Sequence, residues 1–317
     1  MVDVSSSQSH SRPEALPDRQ SDDLRDVARA HRPIPKGKVL LWVVVLLFAA
    51  DFARAVGTNE NFGWPVVAEF FFNRTVLEGL WVTIWLAVVS MVLGVMLGLP
   101  LAIARMSNDP LAKSISGLFV WFFRGTPLLV QLILWYNLSF LFPEISLSIP
   151  FGPSLAAWSA NDLITPITAA IIGLALNEAA YMAEIIRGGL LSVERGQKET
   201  AEAFGMKPMR ALWRVVIPQA MRSIVPPSGN QFISMIKATS LVSVIAMADL
   251  LYSVQSIYNR NFEVIPLLMV AVIWYLLIVS VLSAIQSRIE RYYARGDQQR
   301  VVFDNPETVT TQEEAPL

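Results

Sequence analysis

The stretch GLLSVERGQKETAEAFGMKPMRALWRVVIPQ, Gly189 to Gln219, is a charged island between two apolar runs. From Lys198 to Phe204 it carries Glu, Ala and Lys, residues that give up little side-chain freedom in a helix. Gly205 follows where a helix C-terminus favours a left-handed residue. Lys207-Pro208 can restart a helix, because proline suits the first helical position. Within Met209–Ile217, Leu212 and Val216 fall on one face and Arg210 and Arg214 on another. Pro218 is expected to end this second helix or to bend it toward the next apolar run. The stretch therefore reads as helix, tight turn, helix, lying against a membrane. Two uses fit. One is an amphipathic surface element whose charged face is simply solvated. The other is a docking element, in which small Ala201 and Gly205 permit close approach and Glu199 and Glu202 pair with a partner's Arg or Lys.

The setting of this island follows from composition. The chain has 317 residues, 54% hydrophobic and 16% charged, with a mean hydropathy of +0.47. Soluble domains average about 45–50% apolar and about 25% charged residues, so the composition is that of a multi-pass membrane protein. Cysteine is absent, which excludes disulfides and thiolate sites. His10 and His31 are the only histidines and lie in a polar tail, which argues against a histidine metal site or a Ser-His-Asp triad. No Gly-x-x-x-x-Gly-Lys-Ser/Thr loop is present, so the chain is not expected to hydrolyse ATP by itself. No cofactor, metal or nucleic-acid partner is expected, and no enzymatic activity.

A helix needs about 20 mainly apolar residues to cross a bilayer. The runs Val39–Val56, Leu80–Ala104, Ile115–Leu141, Ile167–Ile186, Ile224–Leu251 and Ile265–Ile285 qualify. The fifth carries Pro226, Pro227 and Lys237, so it is expected either to bend or to enter the membrane edge-on. Lys and Arg should concentrate on the cytoplasmic side. They do so before the first run, between the second and third, throughout the opening stretch, and after the last (Arg288, Arg291, Arg295). The alternate connections are poor in them: 142–165 has none. Both termini and the opening stretch are thus expected in the cytoplasm. The first run also admits a second reading, as a signal-peptide core followed by Ala53-Arg54-Ala55, although the segment before it is longer than an ordinary n-region. Residues 1–37 and 294–317 read as disordered tails, the second holding Asp297, Asp304, Glu307, Glu313 and Glu314. No internal repeat is evident, which weakens an inverted-repeat transporter reading.

Four motifs in order bring a resemblance. Glu199-Thr200-Ala201-x-x-x-Gly205 with Val215-Val216-Ile217-Pro218 resembles the cytoplasmic Glu-Ala-Ala loop of ABC importer permeases. Phe123-Arg124-Gly125-Thr126-Pro127-Leu128-Leu129-Val130-Gln131-Leu132, Leu176-Asn177-Glu178-Ala179-Ala180-Tyr181-Met182-Ala183-Glu184 and Gly229-Asn230-Gln231-Phe232-Ile233 resemble signatures of the polar amino acid subfamily. Thr200 stands where a second Ala is usual, and Ala238 where an acidic residue is common. The likeness spans residues 75–293, with the loop at 193–218 and an extra N-terminal span at 38–56. It implies an all-α integral membrane protein: the type I ABC importer permease fold, a five-helix core plus that extra span, with both termini inside a bacterial inner membrane. It implies a pathway for a polar amino acid, delivered by an extracytoplasmic solute-binding protein. It implies a second permease subunit, like or unlike this one, and cytoplasmic ATPase subunits that seat the helix carrying Glu199, Ala201, Glu202 and Gly205, with Pro218 closing the loop. Membrane lipid is the remaining neighbour.

Charged groups at mid-bilayer cost about 2.5–3.5 kcal/mol on insertion scales, so they usually face a cavity or a partner. Glu178, Glu184 and Lys237 are the candidates, and Asn177, Tyr181 and Glu184 share a helix face at i, i+4, i+7. Together with Thr126 and Gln131 from the motifs, and Thr239 from Ile236-Lys237-Ala238-Thr239-Ser240-Leu241 that follows the last of them, they form the candidate pathway set. Glu178 and Asn177 suit an α-amino group and Lys237 a carboxylate. The plainer alternative pairs Glu184 with Arg187 and leaves Lys237 at a helix end. Gly125-Thr126-Pro127 reads either as a gate or as an ordinary proline bend, and Gly94-x-x-x-Gly98 as a close helix contact with an unspecified partner. An ATP-independent secondary transporter or channel, and a membrane-anchored scaffold without transport, remain as rival functions.

Overall fold

The computed structural model describes residues 36–148 and 154–294. These fall into two units, divided after Asn59. The first contains one helix, α1 (Lys36–Thr58), which covers the expected first span and begins just inside the stretch read as a tail. Asp51 and Arg54, the charges that interrupt its apolar run, meet across one turn at 3.4 Å. The disorder expected for the two tails falls on residues 1–35 and 295–317, outside the described residues.

The second unit begins with α2 (Trp64–Phe71) and α3 (Arg74–Met106). α4 (Pro110–Gly125), α5 (Leu128–Tyr136) and the single turn α6 (Leu138–Leu141) follow. Then come an antiparallel pair, β1 (Glu144–Ser148) and β2 (Ser154–Ser159), and the short α7 (Ala160–Leu163). α8 (Pro166–Leu191), α9 (Arg195–Ala203), α10 (Pro208–Ala211) and α11 (Ile217–Ala238) come next, then α12 (Leu250–Asn261) and α13 (Val264–Ala294). Helix starts follow local cap chemistry. The side chains of Asn73 and Asp109 accept hydrogen bonds from the Thr75 and Leu111 N–H groups, and Thr165 and Thr168 form a reciprocal capping box.

Four of these helices are long and apolar enough to cross a membrane, and six if each bent pair counts as one span. Two expected spans differ from straight helices. The third is broken between α4 and α5 by 102°. Proline pushes its preceding residue out of the helical region; Thr126 before Pro127 is accordingly extended (φ −115°, ψ 144°). The fifth stays helical through Pro226 and Pro227 and breaks later. There a 3₁₀ stretch, Thr239–Ile245, ends at left-handed Ala246 (φ 57°), and α12 leaves at 44° to the preceding run. Pro218 likewise does not end its helix. A π turn over Leu212–Val216 leads into α11, with the Ile217 N–H donating to the Leu212 carbonyl, and the chain runs on through Pro218. The β1–β2 hairpin is an addition to the all-α expectation, in a connection rich in Pro and Ser.

α8 is the central helix: 67% of its most apolar stretch is buried, against 33% for α3 and 22% for α13. α3 meets it through the Gly94-x-x-x-Gly98 face, which assigns that motif its partner. A β-carbon on Gly98 would sit 2.8 Å from Met182 Cβ and 3.0 Å from the Ala179 carbonyl, and one on Gly94 would strike Glu178. Ala102 and Ile186 pack with Met182 beside this contact, and Leu86, Leu132, Leu174, Ile236 and Val242 form the largest apolar cluster among the described residues.

Gly98→Val is therefore expected to force α3 off α8, at roughly 1–3 kcal/mol for overpacking. Thermal unfolding in detergent should show a clearly lowered midpoint, while Leu97→Val on the exposed side of the same helix should leave it within about a degree.

Candidate functional site

The opening stretch forms a compact, self-supported element. α9 closes with a reciprocal pair of backbone bonds: the Gly205 N–H donates to the Glu202 carbonyl at 2.8 Å and the Met206 N–H to the Ala201 carbonyl at 3.0 Å. Gly205 takes the left-handed conformation this requires (φ 70°). Beneath the element, Val193, Val216 and Ala220 form a small apolar seat against Leu190 and Leu212. The Gln219 amide donates to Gln197 Oε1 at 3.2 Å, and the Ser192 and Ser223 hydroxyls hydrogen-bond at 2.9 Å. Ala201 is only 5% exposed, so its small side chain is turned into the chain itself. Glu199, Glu202 and Gly205 face outward. Beside them Phe204 is 83% exposed, an aromatic ring with almost no cover from its own chain.

A second cluster forms at the α4–α5 break, which leaves main-chain carbonyls without helical donors. The Gln131 amide donates to the carbonyls of Phe123 (3.0 Å) and Thr126 (3.1 Å) and to the Thr126 hydroxyl (2.7 Å). The Asn177 amide, from α8, donates to the same Phe123 carbonyl at 2.8 Å and to Gln131 Oε1 at 3.2 Å. Thr126, Gln131 and Asn177 are thus brought together. They brace the break, which is therefore a fixed elbow and not a gentle proline bend.

Of the other residues of the candidate set, Glu178, Tyr181 and Glu184 continue along α8, and Lys237 and Thr239 lie at the end of α11. Glu178 is buried between α3 and α11: Gln231 donates to its Oε2 at 3.1 Å, and its Oε1 has no hydrogen-bond partner among the described residues. Tyr181 lies under Arg124, whose guanidinium carbon is 5.2 Å from the ring centre. Glu184 pairs with Arg187 at 2.8 Å, as the plainer reading expects, and also with Arg105 at the far end of α3 at 3.3 Å. Arg124, Tyr181 and Glu184 form a partly open face with charge of both signs. Lys237 is separate, exposed near the end of α11. Thr239 is fully buried with its hydroxyl on the Ile236 carbonyl at 2.7 Å. Among the described residues no cluster of His, Cys, Asp and Glu suits a metal ion.

Three contributors escape the sequence reading. Gln231 was legible only as part of a motif, and Arg105 only as a basic flank. Phe204 reads as the last apolar residue of a helix, with nothing local to mark it as uncovered.

Comparison with known proteins places these features in context. The profile of the binding-protein-dependent transport system inner membrane component matches residues 90–295. The arginine transport system permease protein ArgU of Corynebacterium glutamicum is 39% identical over 263 residues, covering 82% of this chain and 81% of that protein. The glutamine transport system permease protein GlnP of Escherichia coli K12 is 34% identical, covering 72% and 94%. Among solved structures, an amino acid ABC transporter with histidines matches with a TM-score of 0.61 at 33% identity, covering 71% of this chain and 97% of that one. The MetNI methionine ABC transporter in an inward-facing conformation, 19% identical with a TM-score of 0.55, shares the fold.

Asn177→Ala removes one of two donors to the Phe123 carbonyl, and Gln131→Ala the other. Each is expected to cost about 1–3 kcal/mol, the penalty for a buried polar group left short of partners. Because both act on one carbonyl, the double variant should deviate from additivity by more than about 0.5 kcal/mol in a thermal-unfolding cycle.

Proposed function

Because this chain belongs to the family of binding-protein-dependent transport system inner membrane components, we propose that it couples ATP hydrolysis in a partner to passage of a polar amino acid. It is a multi-pass inner-membrane protein and a permease subunit of an amino acid ABC importer. In this reading the core is residues 75–293, α1 is a retained extra anchor, and both termini and the loop at 193–218 lie in the cytoplasm. The ATPase resides in separate cytoplasmic subunits. A solute-binding protein delivers the substrate outside, and a second permease subunit completes the pathway.

The capped helix α9 is the observation that carries the coupling role. It stands on its own apolar seat, so it moves with α8 and α11, and it presents Glu199, Glu202, Phe204 and Gly205 outward. Ala201 supports it from beneath, and beyond the Gly205 turn the π turn before Pro218 joins α10 to α11 without a break. An uncovered aromatic ring flanked by acids suits a partner's apolar pocket with a basic rim. A push on α9 is thereby passed to two spans.

The pathway runs along the face of α8 that meets the elbow. Arg124 offers a fixed cation for a carboxylate, and Glu184, shared between two arginines, an acceptor for an amino group. Thr126, Gln131 and Asn177 hold the elbow that aims Arg124, and Glu178 locks α3 and α11 onto the same helix. Tyr181 fixes the guanidinium. Lys237 and Thr239 mark the second break, at the end of α11. An ATP-independent transporter would need none of the cytoplasmic seat.

Two outcomes test this. A side chain at Gly205 meets nothing within 4 Å in the chain, but its left-handed φ of 70° strains any side-chain-bearing residue by about 1–2 kcal/mol, so Gly205→Asp should fold with a lowered unfolding midpoint, and Gly205→Asn serves as the control for that strain; relative to Asn, Asp should lose ATPase binding by about tenfold or more, ~1.4 kcal/mol, with ATP-driven uptake falling in step. Undiminished uptake would contradict docking at this helix. Arg124→Ala should leave ATPase binding intact and lower uptake at least about tenfold, the effect of losing a charge-assisted contact. Unchanged uptake and unchanged competition among amino acids would remove Arg124 from the pathway.

A further inference from the structure

We propose that a polar cleft at the foot of α13 is a binding site for a free amino acid with a cationic side chain, and that its occupant restrains the α9–α10 element. The restraint rests on the docking role of α9; the binding does not. The cleft holds about 490 Å³, within the range of about 300–1,000 Å³ common to small-molecule sites. Three parts of the fold wall it: the connection leading into α9 (Ser192, Glu194), the start of α11 (Arg222, Ser223) and the end of α13 (Glu290, Tyr293). It therefore opens on the side of the molecule where α9 lies.

The walls carry charge of both signs, supplied by different elements. Glu290 is held in place from behind: the amides of Asn230 and Gln286 both donate to its Oε1, each at 3.0 Å. Gln286 is itself buried, 5% exposed, and its amide also donates to the Pro226 carbonyl at 2.7 Å. No donor among the described residues reaches Glu290 Oε2, so that oxygen is left for a ligand. Arg222 is exposed and forms no ion pair among the described residues. An amino acid zwitterion satisfies both residues at once. Its carboxylate suits the planar fork of Arg222 and its ammonium suits Glu290, and both contacts are charge-assisted hydrogen bonds. With Glu194 on the third wall the lining has two acids against one base. A ligand with one carboxylate and two cationic groups completes that balance.

Arg222 lies on α11 and Glu290 on α13. Gln219, another wall residue on α11, donates through its amide to Gln197 of α9 at 3.2 Å. An occupant held by Arg222 and Glu290 thus ties α13 to the body that carries α9. A ligand shifts a conformational equilibrium toward the state that it fits better, so this one favours the spacing of α11 and α13 seen here. Amino acid gathered on the α9 side would in this way slow the movement that drives transport.

The test is a titration of full-length protein in detergent with L-arginine at constant ionic strength, read as the unfolding midpoint. Two charged contacts in an open cleft correspond to a Kd on the order of millimolar. Saturable stabilisation is expected. Agmatine, which lacks the carboxylate, and N-acetyl-L-arginine, which lacks the ammonium, should each bind about tenfold more weakly, the loss of one charge-assisted contact. Arg222→Gln and Glu290→Gln should each weaken L-arginine binding by about the same factor, whereas Arg124→Ala should leave it unchanged. Absence of saturable binding, equal binding of the three compounds, or binding that survives both cleft substitutions would overturn the site. In vesicles holding the complete transport complex, L-arginine on the ATPase side should lower ATP hydrolysis several-fold, and Arg222→Gln should relieve the inhibition. Hydrolysis indifferent to L-arginine would overturn the restraint. Failure of the chain to associate with any ATPase subunit would count against the docking reading alone, while the titration still decides the site.

Discussion

Main-chain carbonyls cannot be left unpaired in apolar surroundings, and this constraint shapes the centre of the molecule. A helix broken inside a membrane frees such groups, each of which costs several kcal/mol unless a partner is found. At the α4–α5 elbow the partners are two amide side chains 46 residues apart in sequence, Gln131 and Asn177. The break is affordable only because α8 lies close enough to supply Asn177. That closeness in turn requires small residues where α3 crosses, which is the role of Gly94 and Gly98. The polar face of α8, the elbow and the glycine contact are one arrangement.

The same helix also leads into α9. α8 runs past the elbow to Leu191, and within a few residues the chain enters α9. α11 departs from the same element through a π turn, with Val193, Val216 and Ala220 packed between them. Displacing α9 therefore reaches both spans through packed side chains and not through a flexible loop. The link from Glu184 to Arg105 ties the C-terminal end of α3 to the same body.

How much of this is legible in the sequence depends on the range of the cause. The Gly205 cap, the Pro208 restart and the Pro127 break are set by neighbours in the chain, and each lies where the sequence places it. The second break does not form at Pro226 and Pro227, where the sequence points, since α11 stays helical through both. It forms instead where no Pro or Gly stands. Ala246 turns left-handed while Asp249 caps α12 and the Thr83 hydroxyl of α3 accepts from the Leu250 N–H at 3.0 Å. The Asp249 cap is local, but Thr83 comes from α3, so the span's own sequence does not announce the break. The hairpin escaped for a similar reason, its strands being short and only partly alternating. Glu178 is legible as a costly residue in a span and Arg124 only as part of a motif, and their partners Gln231 and Tyr181 follow only from how helices cross. The candidate polar residues are thus readable by type, while the division between bracing and exposed groups, Asn177 against Arg124 or Ala201 against Phe204, requires three dimensions.

The central claim is that this chain moves solute only when driven through its cytoplasmic element. The direct measurement is amino acid flux into vesicles containing the chain with its partner permease if one is needed, with and without the ATPase subunit, binding protein and ATP. The account predicts accumulation only in the complete system, and background flux when ATP or the ATPase is withheld. Saturable flux through the chain without ATP and without any ATPase would contradict it.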